Sequence, residues 1–331
     1  MKSSSTIRND ILERLIGGNF CSGETLGRTL GVSRAAISKH IKALQELGLD
    51  IYSVTGKGYR LAHEIHLFDK ERLLTELPNY RPEQIHLLPV VDSTNDYLKQ
   101  LLQTEQEVVP GTLCIAEAQT AGRGRQGKRW VSPFGCSLYC SFYWPFDGGF
   151  QAVSGLSLAV GLALVSALEG FGAKQLGLKW PNDIYHDNKK VAGILVDVDG
   201  QMHGSCHCII GFGVNLVLPN NIDEISQPWS DLRQIVGHVP DKNALAVAMI
   251  QQLNKTMLQF QHDGLKSFID KWNDYDIYKE QEVALIMGEN RIYGVAKGID
   301  QTGAIRLAIK DDTGQTVVRS FFGGEISVRA V

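Results

Sequence analysis

The sequence predicts a multidomain α+β protein. It would have an N-terminal winged helix-turn-helix, a central α/β body in which helices cover a mixed sheet, and a small C-terminal β-barrel. Three observations carry this. Residues 1–60 hold capped amphipathic helices followed by a glycine-tipped hairpin. The middle alternates strand-like apolar runs with helical ones. From Tyr275 onward the apolar period switches from helical spacing to alternation. A length of 331 residues suggests two or three domains. The limits read from these changes are 1–64, 65–273 and 274–331.

Taken in order, Ile7, Ile11, Leu12, Leu15 and Ile16 mark a first helix. Ser22 caps a second, through Leu26 and Leu30, and Gly31 turns the chain. Ser33 caps a third, over 34–47, with Ala36, Ile37, Ile41, Leu44 and Leu47 as its apolar face and Gly48 at its end. This is the helix-turn-helix pattern, at 23–42. The outer face of the third helix shows Arg34, Ser38, Lys39 and Lys42, beside Ser33. Those are the groups that contact phosphates and base edges. Alternating residues either side of Thr55-Gly56-Lys57-Gly58 read as a wing with Lys57 at its tip. Two-fold DNA sites imply a dimer. A small helical interaction module without nucleic acid is the alternative, but caps, turn, wing and charge agree on DNA.

Charge separates the head from the rest. Net charge is −3, yet residues 1–60 carry 9 Lys and Arg against 5 Asp and Glu, so the head is +4 and the remainder −7. A basic head on an acidic body points to a polyanion met by the head alone. Residues 1–10 are polar and carry no signal-peptide pattern. The longest apolar stretch, 156–168, is too short for a bilayer and contains Ser157, Gly161 and Ser166, so a buried helix and no membrane association are expected. Six cysteines without an export signal suggest reduced thiols in the cytoplasm.

A linker is read near 63–69. Ser93-Thr94-Asn95 starts a helix, where caps are the simplest reading. A strand over 113–119 delivers Gln119 to a loop, and an aromatic strand covers 138–144. Residues 154–169 form the buried helix. Leu178-Lys179-Trp180 is strand-like and ends at Pro181-Asn182-Asp183. Residues 184–185 and 190–197 suggest a hairpin, and 208–215 an apolar strand. Helical period returns over 243–273, and short strands follow at 283–286, 292–296, 304–309 and 315–318.

The chain centres on the loop that Gln119 reaches. Within 121–130 stand Arg123, Arg125, Lys128 and Arg129 with Gly122, Gly124 and Gly127, closed by Trp130. Like charges this dense should leave it ill ordered until an anion arrives. Gly122, Gly124 and Gly127 match a dinucleotide fingerprint formally, but Pro133 and Gly135 oppose the helix it requires. A minor-groove arm is another reading, disfavoured because the loop lies between apolar runs. His203, Cys206, His207 and Cys208 lack a second pair at zinc-finger spacing, so no metal site is read. The cations Arg123, Arg125, Lys128, Arg129, Lys179 and Lys190 together fit phosphoryl or nucleotidyl chemistry, in which positioning and charge stabilisation do the catalysis.

Gly122-Arg123-Gly124-Arg125-Gln126-Gly127-Lys128-Arg129-Trp130 is preceded by Ser93-Thr94-Asn95 and Gln119. It is followed by Lys179-Trp180-Pro181-Asn182-Asp183, the Lys190 to Leu195 run, Gly211-Phe212-Gly213-Val214-Asn215 and Gly323-Gly324-Glu325. This series resembles biotin–protein ligases over essentially the whole chain, and with the winged helix it resembles the bacterial bifunctional form that also represses the biotin operon. The resemblance implies ATP, biotin and Mg²⁺, and an SH3-like form for the barrel. It implies Ser93, Thr94, Asn95 and Gln119 at the biotin ureido end, with Arg123, Gly124 and Arg125 in the closing loop. Lys190 would meet the carboxylate and phosphate, with Lys179 and Arg125 as further catalytic cations. Lys128, Trp130, Asn182, Asp183, Asn215 and Trp229 would line the nucleotide region. Implied partners are the biotin carboxyl carrier protein of acetyl-CoA carboxylase, operator DNA, and a second copy once biotinyl-5′-AMP is bound. A sensor without catalysis and a lipoate ligase remain as rival readings.

Overall fold

Caps and glycines set the head where the sequence places them. The computed structural model describes residues 4–62, 67–104, 108–200, 204–219, 222–322 and 326–330. The first part of the linker, His203 and Gly323-Gly324-Glu325 lie outside the described residues. Helices α1 (Ser4–Ile16), α2 (Gly23–Leu30) and α3 (Arg34–Glu46) precede strands β1 (Ile51–Val54) and β2 (Gly58–Leu61). Ser22 accepts from Thr25 N–H and Ser33 from Ala36 N–H, which fixes both helix starts. Ile7, Ile11, Leu12, Leu15, Leu26, Ile37, Ile41 and Leu44 form the apolar centre of the head. Phe134 and Ala118 of the body join the same cluster. Phe134 N–H donates to Leu47 O at 3.0 Å, so the end of the recognition helix rests on the body.

The body is one mixed sheet. It comprises α4 (Lys70–Glu76), β3 (Ile85–Val91), α5 (Thr94–Thr104), β4 (Leu113–Gln119), β5 (Ser137–Phe146), α6 (Leu156–Gly170), β6 (Leu176–Lys179), β7 (Asp183–His186), β8 (Lys189–Gly200), β9 (Cys206–Asn215), α7 (Leu232–Val236), α8 (Lys242–Asp263) and α9 (Ile269–Tyr275). Strand order is β3-β4-β5-β9-β8-β7-β6. Only β3 and β4 pair in parallel; every other neighbouring pair is antiparallel. Helices α6 and α8 share the large apolar cluster with the sheet, whereas Leu98 of α5 joins a smaller one with Cys114, Tyr143 and Ile209. The sequence missed β3, α4 and α7, and read the stretch from α8 through α9 as a single helical period. Gly264, at φ 62°, ends α8 there.

The apolar helical run is longer than 156–168 suggests. Phe150–Gly170 spans 21 residues and is long and apolar enough to cross a membrane by length and composition. Most of its α6 part is buried in the body, as in a core helix. Each buried Leu there contributes roughly 1.5–3 kcal/mol.

After the body come β10 (Glu282–Met287), β11 (Asn290–Ile299), β12 (Ile305–Lys310), β13 (Thr316–Phe321) and β14 (Ile326–Ala330). Among the described residues they pair as one antiparallel sheet in the order β13-β12-β11-β10-β14, and β14 is a strand the sequence reading did not include. The seam to the body includes Ile277 N–H donating to Leu178 O and Trp180 Nε1–H donating to Gly303 O, both at 3.0 Å. Beside it the Asp276 carboxyl is buried; Oδ1 accepts from Tyr278 N–H at 3.0 Å. Burial pushes its pKa up to about 6, against the opposing pull of that N–H and of Lys279.

A buried ion pair joins linker and body. Lys242, 3% exposed, donates to Glu117 Oε2 at 2.5 Å, and Glu117 is 4% exposed. Glu117 Oε1 accepts from Phe68 N–H at 2.6 Å, and Lys242 Nζ stands 4.2 Å from the Phe68 ring centroid. Burial pulls the Lys242 amine down and Glu117 opposes it. Asn243 brackets the same segment, accepting from Asp69 N–H at 2.8 Å and donating to Leu67 O at 3.1 Å. Losing one charge strands the other in a dry site. The substitution Glu117→Gln keeps an acceptor for Phe68 but leaves Lys242 alone. It should lower stability by about 3–5 kcal/mol in urea unfolding, and Glu117→Gln with Lys242→Met should recover much of that loss.

Candidate functional site

Two glycines open the site. Gly193 on β8 and Gly213 on β9 stand opposite each other in the register. A Cβ on Gly213 would meet Trp130 Cε2 at 2.5 Å, and one on Gly193 would meet Trp130 Cζ3 at 2.8 Å. The indole therefore lies in a groove that any side chain would fill. Lys190, at the start of β8, holds its Nζ 5.1 Å from the Trp130 ring centroid and 2.8 Å from Asp183 Oδ1.

Around this groove the named residues gather. Asn182 accepts from Arg125 Nη1 at 3.3 Å and donates to Ile194 O at 2.7 Å. Burial lowers the Arg125 pKa, and Asp183 counters it. Asn215, buried at the end of β9, donates to Ser230 O at 3.0 Å. The Trp229 segment is stitched to the Lys190 backbone: Lys190 N–H donates to Pro228 O and Ser230 N–H to Lys190 O, both at 3.0 Å. Lys179 is nearby but differently held. Its Nζ stands 5.1 Å from the Tyr185 centroid and 5.6 Å from that of Tyr278, from the start of the C-terminal part. Burial lowers its pKa, with Asp183 opposing.

At the other end is a polar pocket. Thr94 N–H donates to Gln119 Oε1 at 2.9 Å, and Gln119 Nε2 donates to Ser132 Oγ at 3.0 Å. Ser93, Thr94 and Asn95 are all buried. Asp96 N–H points to Ser93 Oγ at 3.4 Å, so the simple capping reading holds only for Ser93, and weakly. The side chains of Thr94 and Asn95 turn to Ser141 on β5 instead. A Cβ at Gly211 would stand 2.1 Å from Asn95 Oδ1, so that glycine makes room for the amide. The sequence did not single out Ser141, Asp197, Asp96 or Tyr278. Ser141 is a small hydroxyl among the aromatic residues of its strand, a usable signal; the others carried none.

The loop is a tight turn: Gly124 N–H donates to Lys128 O at 2.6 Å and Trp130 N–H to Gly122 O at 2.8 Å. Part of its charge is met by carboxylates, since Arg123 reaches Asp96 at 2.8 Å and Asp197 at 2.5 Å. The Lys128 side chain is exposed.

On the head, Arg34, Lys39, Lys42 and Lys57 are exposed and Ser38 is half-buried. The Ser33 hydroxyl accepts the capping bond from Ala36 N–H, which leaves its proton to donate. Lys57 and Arg60 stand 5.8 and 5.6 Å from the Phe20 ring centroid, which adds Arg60 to the cationic face.

Comparison with known proteins covers 98% of the chain. The biotin/lipoate A/B protein ligase family matches residues 87–215, a helix-turn-helix domain matches 3–60, and the biotin protein ligase C-terminal domain matches 280–329. The bifunctional ligase/repressor BirA of Escherichia coli is 39% identical over 328 residues, covering 98% of each chain. The protein of that name from Bacillus subtilis is 30% identical over 309 residues, covering 92% of this chain and 94% of its own. The chain belongs to the bifunctional biotin ligase/repressor family. A solved biotin protein ligase from Aquifex aeolicus, in complex with biotin and ATP, superposes with a TM-score of 0.63 at 30% identity, over 75% of this chain and 99% of that one. The ligase fold and the helix-turn-helix of this family are thus the body and head described above.

The groove gives a test. Adding a methyl at position 213 forces the indole out, because overpacking of this kind is not absorbed by a close-packed sheet. Gly213→Ala should reduce ligase activity at least about tenfold while circular dichroism stays that of the wild type. Full activity would show that the groove is not needed.

Proposed function

We propose that the chain activates biotin with ATP as biotinyl-5′-AMP and transfers it to a lysine of the biotin carboxyl carrier protein, and that the loaded form dimerises and represses the biotin operon. One observation carries the catalytic part. Lys190, Arg125, Asp183 and the Trp130 indole converge on a glycine-floored groove whose far end is a buried cluster of hydroxyls and amides. Trp130 Nε1–H is buried with no acceptor among the described residues, so it is a donor available to a ligand.

In this reading Ser93, Thr94, Asn95 and Gln119 hold the ureido ring, and Arg123 and Gly124 close over it. The biotin carboxylate, with a pKa of about 4, is ionised at neutral pH and needs no base to attack the α-phosphate. Lys190 screens the carboxylate and the phosphate as they approach, with Arg125 and Lys179 beside it. Lys128, Trp130, Asn182, Asp183, Asn215 and Trp229 line the nucleotide. Mg²⁺ would neutralise phosphate charge. Asp183 is the carboxylate that would help hold it, and Mg²⁺ usually takes one or two carboxylates with phosphates and water. The acceptor amine, at a pKa of about 10.4, must attack neutral, and a closed loop keeps water from the anhydride.

A lipoate ligase is the rival reading. The pocket of Thr94, Asn95, Gln119 and Ser141 offers hydrogen bonds to a ureido ring, whereas a dithiolane would leave them unmade. On the head, Ser33, Arg34, Ser38, Lys39, Lys42 and Lys57 contact the operator. Limits of 1–64, 65–273 and 274–331 and a cytoplasmic location complete the proposal.

Exchange of labelled pyrophosphate into ATP should depend on biotin and not on lipoate, which also sets aside a sensor without catalysis. Arg125→Ala and Lys190→Ala should lower it by about 10²–10³. In sedimentation velocity, biotinyl-5′-AMP should convert monomer to dimer, and unchanged association would refute the repressor mechanism.

A further inference from the structure

A continuous line of hydrogen bonds leaves the polar pocket and ends in the loop. Ser141 Oγ lies 2.7 Å from Thr94 Oγ1 and 2.5 Å from Asn95 Oδ1. Asn95 Nδ2 lies 3.1 Å from Asp197 Oδ2 and 3.3 Å from Leu195 O. The same Asp197 oxygen accepts from Arg123 Nη2 at 2.5 Å.

Proton counting gives this line a direction. A carboxylate and a peptide carbonyl only accept, so the Asn95 nitrogen must face Asp197 and Leu195, and its oxygen must face Ser141. Ser141 has one hydroxyl proton and gives it to that oxygen. Its own oxygen then accepts from the Thr94 hydroxyl. Gln119 Oε1 takes the Thr94 N–H at 2.9 Å; the Thr94 hydroxyl also lies 3.2 Å from it, but its one proton goes to the shorter 2.7 Å contact with Ser141. Thr94 Oγ1 is left an acceptor, suited to a ligand N–H. Each bond in such a chain polarises the next, so a donor at Thr94 strengthens the hold on Asn95 and Asp197.

We infer that Ser141 and Asp197 are positioning residues that tie occupation of the ureido pocket to Arg123, and through it to the closing loop. The inference rests on the ligase reading and names how one end of its site informs the other. Arg123 is already set between Asp96 and Asp197, so less freedom is lost when the loop closes. Ligand and loop then favour one another by linkage. A ring without N–H donors cannot engage the line at Thr94, so the same residues contribute to choosing a urea over a dithiolane.

The experiment is a pair of double-mutant cycles on biotin affinity, measured by titration calorimetry on the full chain. One combines Ser141→Ala with Arg123→Ala; the other combines Thr94→Val with Asp197→Asn. Neither pair touches directly in the line, so two purely structural effects would multiply. The expected result is that each double variant loses at least about threefold less affinity than the product of its single losses. Asp197 is partly exposed and its substitution should fold normally, so the second cycle stands even where Ser141→Ala does not fold. Multiplying losses in the second cycle overturn the inference while leaving the ligase reading intact. A wild-type chain that binds no biotin overturns the ligase reading, and this inference with it.

Discussion

The catalytic centre depends on an absence of atoms. Two neighbouring strands each place a glycine at the same level, and the missing side chains let an indole lie flat against the sheet. That indole ends a loop dense in cations, so its seat decides where the cations stand. It also fixes the surface that the Lys190 amine faces. Neither glycine has a positive φ, so their role is close approach and not backbone freedom. The site is thus defined by the sheet, although most of its charged groups come from loops and strand ends.

Charge is managed by the same logic in two dielectric settings. Near the surface, Arg123 is shared by two carboxylates, which offset part of the loop's positive charge. In the interior, Glu117 and Lys242 satisfy each other and clamp the segment that leads out of the head. β4 carries Glu117 inside and Gln119 at the pocket, so one strand anchors both the linker and the ligand cluster. On the other side of the same strand's end, the recognition helix rests on Phe134. Head and pocket therefore share supports within a few residues of each other.

Much of this was legible in the sequence because the signals are local. Ser22 and Ser33 cap helices, and Asp187 and Asn188 take positive φ in the turn of the β7–β8 hairpin, as short polar side chains allow. The ordered motifs gave the site residues as a set. Less local features escaped. β3 pairs in parallel with β4 across an intervening helix, and Pro89 inside it argues against reading the run as a strand. The Gly264 break was hidden because apolar spacing continues across it. Asp197 and Asp96 look like ordinary surface acids until folding brings them to Arg123, which lies far from Asp197 in sequence.

The seam between body and C-terminal sheet carries a proton-linked liability. Asp276 titrates at about 6 in the folded chain and near 3.9 when unfolded. Between those values the native state keeps a proton that the unfolded chain has released. The contribution of this group to stability is therefore full below about pH 3.9 and is lost as pH rises through about 6. By pH 7 the difference is up to about 3 kcal/mol against folding. Most buried carboxylates that find a cationic partner behave in the opposite sense. Raising the pH through about 6 thus puts an unpaired charge into the joint that holds the C-terminal sheet beside Lys179.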